Sequence, residues 1–185
     1  MTELHHNAAE DLAYGHRPVL LNECLEGLNI RPHGVYVDGT LGRAGHSLEI
    51  ARRLTDGRLI GIDRDETAIE AAQERLRDYR NRVTLVHSNF DRIGEILEEL
   101  HISGVDGMLF DLGVSSPQLD DAQRGFSYMH DAPLDMRMDR SAALSAREVV
   151  NSWSYEELRR ILYEYGEERY APAIAKSICR ARETT

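Results

Sequence analysis

Short apolar runs alternate with helical patterns along the sequence, and this alternation constrains the fold more than any other feature. Strands and helices that alternate in this way form βαβ units, which build a parallel sheet with right-handed crossovers. The strand-like runs are continuously apolar, as expected for a sheet covered on both faces. The predicted fold class is therefore α/β and Rossmann-like. The predicted strands are 34–38, 57–63, 82–88 and 104–113, and the predicted helices are 19–28, 47–54, 65–79 and 91–100.

A glycine-rich turn, VYVDGTLGRAGHS, follows the first predicted strand. Its glycines are spaced G-x-x-G-x-x-G, which differs from the dinucleotide fingerprint G-x-G-x-x-G. Glycine lets a ligand approach the backbone closely, and the next helix offers unpaired N–H groups. Asp38 precedes the turn and suits a ligand with a cationic group better than a pyrophosphate. Chain reversal alone is the alternative role for these glycines, Gly39, Gly42 and Gly45.

Three further side chains follow predicted strands. Asp63 ends the second strand, where an acidic residue can bind ribose hydroxyls, although a helix N-cap is the alternative and Asp65 is equally placed for it. Asp111 ends the fourth strand, at the edge where open α/β sheets bind ligands. Phe90 follows the third strand and can lie against an adenine or in the core. With Asp38 and the glycine turn, these residues favour S-adenosylmethionine over NAD.

The composition limits the remaining functional classes. Hydrophobic residues make up 42% and charged residues 29% of the 185-residue chain, as in an ordinary globular protein. No apolar run reaches the roughly 20 residues that span a membrane, and the N-terminus lacks a signal-peptide pattern. The cysteines, Cys24 and Cys179, are far apart and near no histidine at ligand spacing, so we expect no metal site and a cytoplasmic location. A net charge of −10 argues against a broad nucleic-acid surface but leaves room for a local basic groove.

Several longer segments resemble a known family. HRPVLLNE, YVDGTLGRAGHS, GIDRDETAI, LFDLGVSSPQLDDAQRGFSYMHDAPLDMRMD and YGEERYAPAIAKSI are similar to the bacterial 16S ribosomal RNA cytosine-N4 methyltransferases, also called MraW. The resemblance extends from about His16 to Arg182. It implies a class I S-adenosylmethionine-dependent methyltransferase that modifies the exocyclic N4 of a cytidine in the small ribosomal subunit.

The resemblance also implies which residues hold the methyl donor. They are Ala44, Gly45, His46, Asp63, Phe90, Asp111 and Gln118, and Asp38 and Gly39 are added from the analysis of the turn. Asp111 is the candidate for positioning the cytosine amine. The family usually has two glycines before the histidine, and here Ala44 replaces the first. The methyl group is accommodated if the dihedral at Ala44 is helical, so we expect weakened donor binding at most.

A long segment without a sustained period, 121–144, is predicted to be a loop on the substrate side. RNA-binding proteins stack unpaired bases on aromatic side chains and contact phosphates with arginine. Phe126 and Tyr128 are therefore candidates for base stacking, with packing of the loop as an equal alternative. The phosphate candidates are Arg124, Arg137 and Arg140.

The length predicts an incomplete domain. Family members continue beyond this sequence and return from a helical insertion to complete the sheet, including a segment of the type FHSLEDR that is missing here. The predicted division is a flexible tail at 1–15, a donor-binding domain at 16–120, the substrate-side loop at 121–144 and the start of the helical insertion at 145–185.

Two alternatives to an active methyltransferase remain open. One is an NAD-dependent oxidoreductase, which the glycine spacing and Asp38 disfavour. The other is a non-catalytic S-adenosylmethionine-binding fragment that folds as a homodimer through its open sheet edge.

Overall fold

The computed structural model of the protein describes residues 18–184, so the predicted tail at 1–15 lies outside the described residues. The chain divides into two compact units, the first ending at Gly113 and the second beginning at Val114. The sequence-based division placed this boundary after residue 120. None of the helices within 18–184 has the length and apolar character needed to cross a membrane.

The first unit is a parallel α/β sheet, which confirms the predicted fold class. The strands lie in the order β3-β2-β1-β4, and each neighbouring pair is parallel. In chain order the elements are α1 (Leu21–Leu28), β1 (Val35–Asp38), α2 (Gly45–Arg53), β2 (Arg58–Asp63), α3 (Glu66–Arg75), β3 (Val83–His87), α4 (Ile93–Glu99) and β4 (Gly107–Leu109). Short 3-10 turns follow α3, at Arg77–Tyr79, and precede α4, at Phe90–Arg92.

Both faces of the sheet are covered, as its continuously apolar strands require. Successive strand residues point to opposite faces, so Tyr36 packs with residues of α1, α2 and α3, whereas Val37 packs against α4. In the same way, Leu59 packs on the face of the sheet that carries Tyr36, and Ile60 packs on the face that carries Val37. The carboxyl ends of the strands are therefore carried on a well-packed core.

The fourth strand is shorter than predicted. It ends at Leu109, so Asp111 lies in the loop beyond the strand and not at its last position. Among the described residues the strand pairs only with β1, and the amide of Asp111 donates to the Thr40 hydroxyl instead of extending the ladder. A bond to a side chain thus replaces the strand pairing predicted for residues 110–113.

The second unit is helical: α5 (Ser116–Asp120), α6 (Ala146–Ser152), α7 (Tyr155–Glu164) and α8 (Ala171–Ala181). A 3-10 turn, Ala122–Arg124, follows α5. The three later helices lie in the segment 145–185 that the sequence predicts to be helical, and serine side chains cap two of them, Ser145 on α6 and Ser154 on α7. Helix α5 was not predicted, because it is short and its capping box of Ser115 and Gln118 does not precede a periodic apolar run.

Candidate functional site

Asp38, the last residue of β1, is buried beneath the glycine turn and bonds to residues at either end of it. Its side chain is 1% exposed, and its two oxygens accept hydrogen bonds from the Thr40 amide at 3.2 Å and the Ser47 hydroxyl at 2.6 Å. Burial raises the pKa of Asp38 above its usual range, although the hydrogen bonds from Ser47 and Thr40 act in the opposite direction. The turn is therefore built around a buried carboxyl group that its own donors satisfy.

Asp63 connects the glycine turn to the end of β2. One carboxylate oxygen accepts the Gly42 amide at 2.8 Å, and the other accepts the Asp65 amide at 2.9 Å. The N-cap of α3 is Asp65, which accepts from the amide and hydroxyl of Thr67. Capping, the alternative role considered for Asp63, thus belongs to its neighbour.

Ala44, Gly45 and His46 begin α2. The Ala44 backbone is left-handed, with φ 59° and ψ 34°, so it lacks the right-handed helical dihedral that would accommodate the methyl group without strain. His46 is 7% exposed, and its Nε2–H donates to the Val19 carbonyl at 3.0 Å. A Cβ on Gly45 would lie 2.5 Å from Pro18 Cγ, so this position requires glycine for close packing. These contacts hold the segment before α1 against the start of α2.

An aromatic pair lies over the first glycine. The rings of Phe90 and Phe110 meet edge to face, with centroids 5.6 Å apart and planes 71° apart. A Cβ on Gly39 would lie 2.4 Å from the Phe110 ring, so the ring packs directly on the glycine backbone. Phe90 is 38% exposed and Phe110 43% exposed. The pair therefore leaves an apolar surface accessible beside the turn, instead of lying within the core.

Asp111 approaches the same turn through its backbone. Its amide donates to the Thr40 hydroxyl at 2.7 Å, while its side chain is exposed. Thr40 therefore links β4 to the turn that Asp38 organises. Thr40, Ser47 and Phe110 were not singled out from the sequence, since a threonine, a serine and an apolar residue at these positions carry no distinctive spacing.

Gln118 and Arg124, in the second unit, have structural roles there. Gln118 is 7% exposed, and its side-chain oxygen accepts the Ser115 amide at 3.0 Å, which completes the capping box of α5. Arg124 is 5% exposed and donates to the carbonyls of Arg137 and Met138. Its guanidinium also lies 5.8 Å from the centroid of the Phe126 ring, so the half-buried ring helps to pack the loop.

Arg137 and Tyr128 differ in exposure. Arg137 forms a two-pronged ion pair with Asp135 and donates to the carbonyls of Arg140 and Ala142. The pKa of Asp135 is lowered to about 2, and the largest cause is the side-chain hydrogen bond from Arg137. Tyr128 is 96% exposed, so its ring is accessible to solvent. The structure thus separates an accessible aromatic side chain from arginines that hold the loop together.

The model of the MraW methylase family matches residues 13–185. The chain belongs to the MraW methylase family. It is 57% identical over 93% of its length to the ribosomal RNA small subunit methyltransferase H of Brevibacillus brevis, and 53% identical over 92% to that of Symbiobacterium thermophilum. A solved rRNA methylase from Streptococcus thermophilus is similar at 18% identity, with a TM-score of 0.43 over 54% of this chain and 57% of that one.

Membership of the MraW family confirms the resemblance predicted from the sequence, and S-adenosylmethionine is the cofactor of that family. The chain spans 55% and 54% of the lengths of the two curated relatives. The left-handed dihedral of Ala44 is one that only glycine adopts without steric cost, so the alanine is strained at this position.

Proposed function

We propose that this chain binds S-adenosylmethionine at the glycine turn and belongs to an enzyme that methylates N4 of a cytidine in 16S ribosomal RNA. The observation that carries the proposal is the position of Asp63, whose carboxylate bonds to both the glycine turn and the loop after β2. An acidic residue here suits the ribose hydroxyls of a nucleoside ligand. The curated relatives are named as methyltransferases of small-subunit ribosomal RNA.

The chemistry of each side chain fits the assigned role. A carboxylate oxygen has two lone pairs, so Asp63 can accept ribose hydroxyls while it keeps its amide bonds. The accessible edge of Phe90 offers an apolar face for adenine. Asp38, Gly39, Ala44, Gly45 and His46 shape the turn around the donor. Asp111, and Gln118 by resemblance to the family, complete the proposed donor-binding set.

The reaction requires little beyond orientation and exclusion of water. S-adenosylmethionine, when bound, would supply a methyl group on a sulfonium, so that the N–C bond forms in line as the C–S bond breaks and the sulfur leaves as a thioether. The cytosine amine is a weak nucleophile because its lone pair is delocalised into the ring. The exposed carboxylate of Asp111 can accept an N–H bond from that amine and direct the nitrogen lone pair towards the methyl carbon. Water can then take the proton, so no general base is assigned.

The proposed partner is the small ribosomal subunit in the cytoplasm. Tyr128 is the proposed stacking residue, while Phe126, Arg124 and Arg137 contribute by shaping the loop. Self-association of this chain as a homodimer through the open β4 edge belongs to the competing proposal of a non-catalytic fragment.

Isothermal titration with S-adenosylmethionine, and with NAD as the control, tests the donor site. We expect binding of S-adenosylmethionine alone. Transfer of a labelled methyl group to isolated small ribosomal subunits, followed by mass analysis of the nucleosides, tests the reaction. Donor binding without transfer would favour the non-catalytic fragment, and binding of NAD would contradict the donor assignment.

A further inference from the structure

A concavity of about 260 Å³ lies within the second unit, beside the predicted substrate-side loop. Apolar and charged side chains share its lining. The residues are Pro133, Leu134, Asp135, Arg137, Ala143, Ser145 and Arg147.

The arginines near this concavity fall into two groups. Arg124 and Arg137 are engaged with backbone carbonyls, and Arg137 is also paired with Asp135. Arg140 and Arg147 are exposed. Within residues 18–184 the guanidinium of Arg147 makes no hydrogen bond or ion pair, although it lines the concavity. Its positive charge is therefore available to a ligand.

The backbone amides at the start of α6 and the carboxylate of the lining are already bonded within the protein. The amides of Ala146 and Arg147, at the start of α6, donate to the carbonyls of Asp135 and Leu134, so the backbone offers no anion site. Arg137 compensates the charge of Asp135 at 2.7 Å, which leaves Arg147 to set the charge of the concavity. A guanidinium beside an apolar wall of Pro133 and Leu134 matches one nucleotide, with its phosphate on the charge and its sugar or base on the wall.

We propose that this concavity binds a nucleotide of single-stranded RNA, with Arg147 contacting the phosphate. The inference rests on the proposed function, in which RNA is the substrate, and it adds a contact that the sequence did not predict. Arg147 was absent from the phosphate candidates because it lies in the helical pattern of α6. Arg137, which was among them, holds the loop instead.

Fluorescence anisotropy with a labelled oligocytidylate of about twelve nucleotides measures this contact. In Arg147→Ala we expect affinity to fall roughly tenfold, and the slope of log K against log salt to fall by about 0.7, the value for one phosphate contact on a single strand. Arg147→Lys should retain the salt slope. The matched control is Arg58→Ala, since Arg58 is exposed at the start of β2, in the other unit.

The inference is overturned if the unaltered chain does not bind the oligonucleotide at about 50 mM salt, or if Arg147→Ala leaves the salt slope unchanged. It is also overturned if Arg58→Ala weakens binding as much. Titration of the same preparations with S-adenosylmethionine separates this result from the proposed function. If the unaltered chain does not bind S-adenosylmethionine, the proposed function is contradicted. The RNA measurement decides the role of Arg147 separately.

Discussion

The carboxylate of Asp63 accepts the backbone amide of Gly42 at 2.8 Å, which joins the end of β2 to the glycine turn after β1. Its other oxygen accepts the Asp65 amide. One side chain therefore sets the positions of two loops at the carboxyl edge of the sheet.

Replacement of Asp63 tests the donor site. In Asp63→Asn only one side-chain oxygen remains to accept, so one of the two amide bonds is lost along with part of the proposed ribose contact. We expect affinity for S-adenosylmethionine to fall at least about tenfold, since a hydrogen bond to a charged group contributes roughly 1.5–3 kcal/mol. Isothermal titration measures this loss.

Asp65→Ala is the matched control for Asp63. This change removes the N-cap of α3, so the free energy of unfolding should fall by about 1 kcal/mol. Donor affinity should remain within about threefold of the unaltered chain, a difference below 1 kcal/mol. Equal loss of donor binding in both variants would show that Asp63 acts only by holding the loops.

A second prediction concerns how the buried carboxyl group of Asp38 makes the free energy of unfolding depend on pH. Burial raises its pKa, so its contribution to stability is fully present below the unfolded value of 3.8 and is lost as the pH rises through the raised value. Asp38→Asn cannot ionise, and Ser47 can reverse its hydroxyl to donate or accept. We expect its free energy of unfolding, relative to the unaltered chain, to increase between pH 4 and pH 8 in urea titrations. A constant difference across that range would contradict a raised pKa.

The contact between Gly39 and Phe110 gives a third prediction. A methyl group on Gly39 would overlap the ring, so Gly39→Ala should cost about 1–3 kcal/mol of stability and weaken donor binding. The double variant with Phe110→Ala removes the overlapping ring. In a double-mutant cycle the cost of the alanine at 39 should therefore fall to below about 1 kcal/mol. The same cost in both backgrounds would mean that the ring does not limit this position.

The ion pair of Asp135 and Arg137 gives a prediction in acid. The pKa of Asp135 is lowered to about 2, so its stabilising contribution is present above the unfolded value of 3.8 and is lost as the pH falls towards 2. Because the pair is partly exposed, we expect about 1 kcal/mol at neutral pH. Circular dichroism melts of Asp135→Asn should show this loss at pH 7 and converge with the unaltered chain near pH 2. A difference that persists at pH 2 would indicate lost packing instead.

The sequence predicted the parallel sheet and the edge at which Asp38 and Asp63 meet, because these follow from local periodicity and from the shared direction of parallel strands. It did not predict the left-handed backbone of Ala44. That dihedral depends on how the turn closes against the segment before α1, where His46 bonds to Val19. Conformations set by contacts between distant segments leave no periodic signal.

The roles of the arginines in the second unit could not be predicted from the sequence either. The sequence marks which arginines are near the loop, but not which of them bind carbonyl groups. Arg124 is buried and Arg147 is exposed, although both residues carry the same side chain. Which carbonyl groups each arginine reaches depends on the path of the backbone between residues 133 and 145, which contains no helix or strand.

The hydrogen bonds of Asp38 and Asp63 also determine which contacts can form while the chain is still being synthesised. Among residues 18–184, the partners of their side chains lie between Thr40 and Asp65, so each bond closes a short loop at low entropic cost. A nascent chain that has emerged only as far as α3 already contains these four partners, Thr40, Gly42, Ser47 and Asp65. The link from Thr40 to Asp111 must wait for later synthesis. The glycine turn can therefore acquire its internal bonds during translation, before the aromatic residue of β4's loop arrives to cover its first glycine.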